Sequence, residues 1–198
     1  MNMHAHKAPT SHFSGYAGRL SATLGQFDWT PVTQLADELF DCWRTGRQVF
    51  LAGNGGSAAN AVHLANDFLY ALSKRPGSGL RVEALPANTA VISCIANDEG
   101  YDQVFSLQLA VKARPGDVLI VLTGSGNSPN ILKALEEARR IGMRSYAFLG
   151  FSGGKAKALT DVPIHFAVED MQIAEDAQLI SGHMIMQYLY AMRDHVSP

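Results

Sequence analysis

From residue 46 onward the chain alternates short runs that are apolar almost throughout with segments of helical period. That alternation limits its possible folds more than any other feature. "QVFLAG" (48–53), "RVEAL" (81–85), "DVLIVLT" (117–123), "RSYAFLG" (144–150) and "VPIHFAV" (162–168) read as strands. A strand that is apolar at both its odd and even positions must be buried on both faces. Such strands belong to a mainly parallel sheet covered by helices on each side. Helical patterns fill the intervals, from Ser57 to about Leu72, Thr89 to Ala96, Tyr101 to about Ala113 and Ser128 to Ile141, and a long one from Ile173 to about Arg193 closes the chain. The predicted class is α/β, in three layers.

Ahead of the first strand, "PVTQLADELFDCWRT" sets Val32, Leu35, Ala36, Leu39, Phe40 and Trp43 at helical spacing, with Pro31 suited to the first turn and Gly46 to the stop. A weaker helical pattern runs from Tyr16 to Phe27. Together these helices carry more apolar surface than one compact α/β layer needs, so they are expected to pack in an oligomer. Residues 1–12, with His4, His6 and His12, read as a flexible terminus, and 13–198 as a single domain.

At 198 residues, 47% hydrophobic and 17% charged, the chain can bury a core without staples. A formal charge of −2 with scattered Lys and Arg lacks the footprint of a nucleic-acid binder. There is no apolar run near the ~20 residues that span a bilayer, and no apolar signal-peptide core at the start, so the expectation is a cytoplasmic protein without a membrane partner. Cys42 and Cys94 fit no paired spacing and read as reduced core residues.

Two strands end in matching loops, "GNGGS" (53–57) and "TGSGNS" (123–128). In an open α/β sheet, ligands bind beyond the carboxyl ends of the strands, where the next helices begin. Glycines let the backbone approach a ligand, free N–H groups at a helix start attract an anion, and hydroxyls add neutral donors. This chemistry suits a phosphate and makes Asn54, Gly55, Gly56, Ser57, Thr123, Ser125, Asn127 and Ser128 candidate substrate contacts. Turn geometry and helix capping would explain either loop alone. Neither contains the Gly-Lys-Ser/Thr of a nucleotide-driven enzyme or the dinucleotide fingerprint.

Through "LAGNGGSAANAVHLANDF", "CIANDEGYDQVFSLQL", "RPGDVLIVLTGSGNSPNILKALEEARRIGM", "GGK" and "GHMIMQYL", from about Pro31 to Tyr190, the chain resembles the SIS (sugar isomerase) family and, within it, the phosphoheptose isomerases. The resemblance implies a five-stranded parallel sheet and a homotetramer with sites at subunit interfaces. It also implies a phosphorylated sugar as substrate, held at its phosphate by Thr123, Ser125 and Ser128, with Ser57 and Asn54 near the sugar and Asp98 beside the site.

Ketose–aldose interconversion moves a proton between C1 and C2 through an enediol, which requires a base, an acid and a carbonyl polariser on one substrate face. His63 and Asp67 stand four apart on one predicted helix, about 40° apart and roughly 6 Å in rise, close enough to share an ion. On the last helix Glu175 precedes His183 by two turns, displaced by about 80°, and Asp176 lies nearer the same azimuth. Helix phase alone prefers Asp176. The resemblance selects Glu175 and implies a divalent metal, zinc, held by His63, Asp67, Glu175 and His183, with Asp67 and His183 as the acid–base pair. Asp67 stands where the family has glutamate, Asn66 where it has an acid and Ala71 where it has an arginine. These departures leave three readings open. The leading one is a metal-dependent isomerase converting sedoheptulose 7-phosphate to heptose 7-phosphate for surface-glycan precursors. The others are an isomerase for another phosphosugar, and a non-catalytic SIS binding protein similar to the replication-initiator-associating member.

Overall fold

The computed structural model describes residues 9–74 and 77–196. Five strands, β1 (Val49–Gly53), β2 (Val82–Ala84), β3 (Val118–Thr123), β4 (Arg144–Leu149) and β5 (Val162–His165), form one sheet in the order β2-β1-β3-β4-β5. Every pairing is parallel. The central strands are buried at every position of β1 and β3, as their unbroken apolar runs require. The expected five-stranded α/β architecture is present.

Alternate residues of each strand feed two separate cores. On one face Val49, Leu51, Val118, Ile120, Leu122, Tyr146 and Phe148 pack with helices α2 (Thr30–Thr45), α3 (Gly55–Asn66) and α8 (Met171–Met192). On the other, Phe50, Ala52, Leu119, Val121, Ala147 and Leu149 pack with α5 (Ser106–Lys112), α6 (Pro129–Ile141) and α7 (Ala156–Leu159), and the partly buried side of α4 (Thr89–Asp98) joins them. Each fully buried leucine contributes roughly 1.5–3 kcal/mol, so both faces contribute substantially to stability.

The helices start and stop as their terminal residues dictate. Pro129 occupies the first turn of α6 and Gly142 ends it in the left-handed region. Asp170 caps α8, its carboxylate accepting from the N–H groups of Gln172 and Ile173.

Several expected boundaries move. Helix α1 (Thr10–Gly25) begins at Thr10, so residues 10–12 of the expected flexible terminus are helical, while residues 1–8, with His4 and His6, lie outside the described residues. The apolar stripe of α2 is covered within this chain, where Leu35, Leu39 and Cys42 are fully buried against α8 and the sheet. It does not wait for a second subunit. Helix α1 has no buried residue and lies along α8, where Tyr16 donates to Asp176 (2.6 Å) and Arg19 pairs with Asp170 (3.2 Å). The expected helix over 101–113 is a 3₁₀ turn, Tyr101–Gln103, followed by the shorter α5. Strand β5 stops at His165, and its Pro163 is tolerated because β5 is an edge. Cys94 is exposed rather than in the core, and its thiol donates to Asp98 (3.5 Å), which pushes the thiol pKa up.

Candidate active site

The strand order reverses between β1 and β3: the chain leaves β1 toward β2 on one side and resumes with β3 on the other. A crevice opens at such a switch point beyond the carboxyl ends of the two strands. Both hydroxyl loops lie there, 54–57 after β1 and 124–128 after β3. Gly55, Gly56 and Ser57 form the first turn of α3, whose N–H groups no carbonyl of the helix itself can reach. Ser57 and Thr123 are buried.

The second loop is shaped from within. Thr123 Oγ1 accepts from Gly126 N–H (3.2 Å) and Ser125 Oγ from Asn127 N–H (3.3 Å). Gly126 has a φ of 66°, and a Cβ there would strike the carbonyl of Gly153, so only glycine fits. Ser128 precedes Pro129 in an extended conformation and makes no side-chain cap bond to α6.

A bridge that sequence reasoning missed ties the two loops together. Asn54 Nδ2 donates to Asn130 Oδ1 (2.9 Å), and Asn130 Nδ2 returns a bond to Asn54 Oδ1 (2.8 Å). The hydroxyl of Tyr101 also donates to Asn54 Oδ1 (3.1 Å). Only the position of Asn130, one residue inside the helix that follows the loop, could have signalled this role.

Helices α3 and α8 pack side by side in matched register. Glu175 meets Gly56, Asn60 reaches α8 at Glu175 O (3.0 Å) and Gln178 Oε1 (3.2 Å), and Gly182 admits Leu64. At the next rung His63 Nε2 and His183 Nε2 stand 2.9 Å apart. Asp67 Oδ2 lies 3.4 Å from the first and 3.6 Å from the second. His63, Asp67 and His183 thus form a cluster in which one ligand atom from each comes within 4.8 Å of the others.

The backbone changes at this cluster, although Asp67 keeps α geometry and its N–H still bonds His63 O. At Asp67 the helix, expected to run on unbroken to Leu72, changes to a π-turn, Asp67–Ala71. The carbonyl of Phe68 accepts instead from Leu80 N–H (3.1 Å), outside the helix. Such single π-turns within helices are frequent at functional sites. Asn66 Nδ2 donates to Asp67 Oδ1 (3.3 Å), leaving Oδ2 toward the histidines. Asn66 therefore orients the carboxylate as a neutral donor.

Two imidazole nitrogens and a carboxylate oxygen are the donor set zinc takes, at about 2.0–2.2 Å from each. A triangle with edges of 2.9, 3.4 and 3.6 Å has corners that one such ion can reach together. The residues present fit the metal.

Glu175 stands apart from these three. Its carboxylate lies against Gly56 at the start of α3, eight residues or about 12 Å of helix rise from His183. The expected set of four ligands is, within one chain, a set of three, because two helical turns separate the fourth. A carboxylate at a helix N-terminus is electrostatically favoured. Asp176, preferred by helix phase, is engaged by Tyr16 and stands outside the cluster as well. Asp98 bonds Cys94 and Asn97 on its own helix (3.5 and 2.8 Å). Ala71 closes the π-turn. Gln178, which accepts from Asn60, is buried.

A model of the SIS domain family matches residues 12–150. The chain belongs to the SIS domain family. It is 37% identical over 185 residues to the phosphoheptose isomerase of Chlorobaculum parvum, an alignment covering 89% of this chain and 86% of that protein. It is 38% identical over 156 residues to that of Trichlorobacter lovleyi, covering 78% and 79%. The solved phosphoheptose isomerase of Francisella tularensis superposes with a TM-score of 0.85 at 27% identity, covering 92% of this chain and 96% of that one.

Proposed function

We propose that this protein is an aldose–ketose isomerase of a phosphorylated sugar, converting sedoheptulose 7-phosphate to heptose 7-phosphate for surface-glycan precursors. The observation that carries the reading is the placement of an anion cradle and a two-histidine, one-carboxylate cluster along one helix. His63 lies six residues, about 9 Å of rise, beyond Ser57. That spacing suits a substrate bound by its phosphate at one end and reacting at the other. The phosphoheptose isomerases to which the chain is similar act on such a molecule.

Loop 123–128 and the first turn of α3 hold the phosphate through N–H groups and hydroxyls, which fixes the register of the sugar chain. The Asp67 carboxylate, oriented by Asn66, takes the proton from the carbon beside the carbonyl. His183 exchanges a proton with the enediol oxygens, and the same pair returns the proton to the neighbouring carbon. Zinc held by His63, Asp67 and His183 would supply a Lewis acid that polarises the substrate carbonyl. Asn54, Asp98 and Glu175 remain proposed substrate contacts, Glu175 on the substrate side of the metal cluster.

Exposed apolar residues on the outer faces of α3 and α8 and on the π-turn, among them Val62, Leu69, Tyr70, Met184 and Tyr188, fit coverage by further copies in a homotetramer. No helix among the described residues is long and apolar enough to cross a membrane, and we assign the reaction to the cytoplasm.

Incubating the purified, metal-loaded protein with sedoheptulose 7-phosphate in deuterated water and following the product by NMR tests the reading. Aldose formation with solvent deuterium at C2 is expected. A folded protein that yields neither would leave an isomerase for another phosphosugar, or, if no sugar phosphate turns over, the non-catalytic SIS binding protein.

A further inference from the structure

After β4 the chain turns, and residues 150–156 brace the phosphate loop at three points. Gly150 N–H donates to Gly124 O (3.0 Å), Lys155 N–H to Asn127 Oδ1 (3.1 Å) and Ala156 N–H to Gly126 O (2.9 Å). Within that turn Phe151 has a φ of 46°, a conformation that a bulky side chain adopts only at an energetic cost. Strain of this kind persists only where neighbouring bonds hold it.

Those bonds come from the last strand and its extension. Phe151 N–H donates to Val168 O (3.0 Å), and Phe151 O accepts from His165 Nε2 (2.9 Å). The other ring nitrogen, Nδ1, meets Lys157 Nζ at 3.1 Å. A carbonyl only accepts and an ammonium only donates, so both bonds are satisfied by the neutral ring with its proton on Nε2. The stem of Lys157 packs beside Gly153, whose φ of 82° closes the turn. Gly153, Lys157, His165 and Phe151 thus form a belt around the brace.

We propose that His165 is a positioning residue for the phosphate loop. It holds Phe151 in its strained conformation and, through the turn, keeps the backbone of 124–127 in the shape that receives a phosphate. The inference rests on the sugar-phosphate reading of that loop. Neither His165 nor Lys157 needs to touch the substrate.

The test uses the full-length protein with inorganic phosphate as the probe, by titration calorimetry, beside steady-state kinetics on sedoheptulose 7-phosphate. Replacing His165 by Leu is expected to weaken phosphate binding about fivefold to tenfold and to raise KM by the same factor, with kcat held within about twofold. H165Q, which keeps an N–H donor, should recover most of the loss. In the F151G background, where no strain needs holding, adding H165L should change phosphate affinity by less than about twofold. If H165L alone does not fold, this double variant carries the test. Unchanged phosphate binding in H165L, or a full loss on adding H165L to F151G, overturns the inference. A wild type without turnover whose H165L variant still loses phosphate affinity would remove the isomerase reading and leave this one standing. A wild type that binds no phosphate overturns both.

Discussion

Asn54 and Asn130 exchange two amide hydrogen bonds, 2.9 and 2.8 Å long, across the gap where the sheet order reverses. The bridge joins the loop after β1 to the first turn of α6 and so ties together the two halves of the proposed anion cradle. Replacing the buried Asn130 by Ala leaves Asn54 with one of its partners gone. A loss of about 1–2 kcal/mol in denaturant unfolding is expected. N130D can accept from Asn54 but cannot donate back, and it sets a negative charge beside the cradle. For that variant KM for the phosphorylated sugar should rise about tenfold or more, further than for N130A. Equal KM values for the two would show that the bridge does not border the phosphate.

His63, Asp67 and His183 should stand or fall together as a metal centre. H183A is expected to lose stoichiometric metal and to reduce kcat on the order of 10²- to 10⁴-fold. The Asp67 carboxylate already lies 3.4 and 3.6 Å from the two ring nitrogens, so D67E, with its longer side chain, should overshoot. Its zinc affinity is expected to fall about tenfold or more. Metal content by mass spectrometry and competition with a chelator would measure both. Tighter zinc in D67E would show that the aspartate is a compromise rather than a fitted length.

Glu175 places a carboxylate against the first turn of α3, the same positive helix end proposed to serve the anion. Removing that charge in E175Q should tighten inorganic phosphate about two- to fivefold while leaving the His63 cluster loaded with metal. G56A pushes the carboxylate aside by occupying its space and should have the same sign of effect. A drop in metal content on E175Q would instead make Glu175 the fourth ligand.

Tyr16 on α1 donates to Asp176 on α8, and this bond holds the phenol pKa well up, to about 12 from the ordinary 10. The neutral phenol is the favoured folded form. Its contribution is therefore complete below pH 10 and is lost as pH rises through 10 to about 12. Unfolding of the wild type and Y16F should differ at pH 8 and converge by pH 12. A constant difference across that range would place the effect in packing.

The apolar runs made the sheet legible, since strands buried on both faces leave no freedom in their pattern. The glycine and hydroxyl residues located both loops for the same reason: few other residues can turn that tightly and leave their N–H groups free. What stayed hidden depended on contacts between distant segments. Nothing local marks Asn130 as the partner of Asn54, or Asn60 as the clamp between α3 and α8. The π-turn was invisible because its outside partner, the N–H of Leu80 that bonds the carbonyl of Phe68, lies twelve residues away. Helix phase alone prefers Asp176, yet Tyr16 on α1 engages it, and neither it nor Glu175 joins the His63 cluster.

The bond from Leu80 to Phe68 has a reach beyond the helix it distorts. Leu80 stands two residues before β2, an edge strand of the sheet, so the backbone next to Asp67 is stitched to the sheet margin. Slack in one should register in the other. Deuterium uptake along 80–84 is then a remote gauge of whether the histidine cluster is filled, readable without any substrate at all.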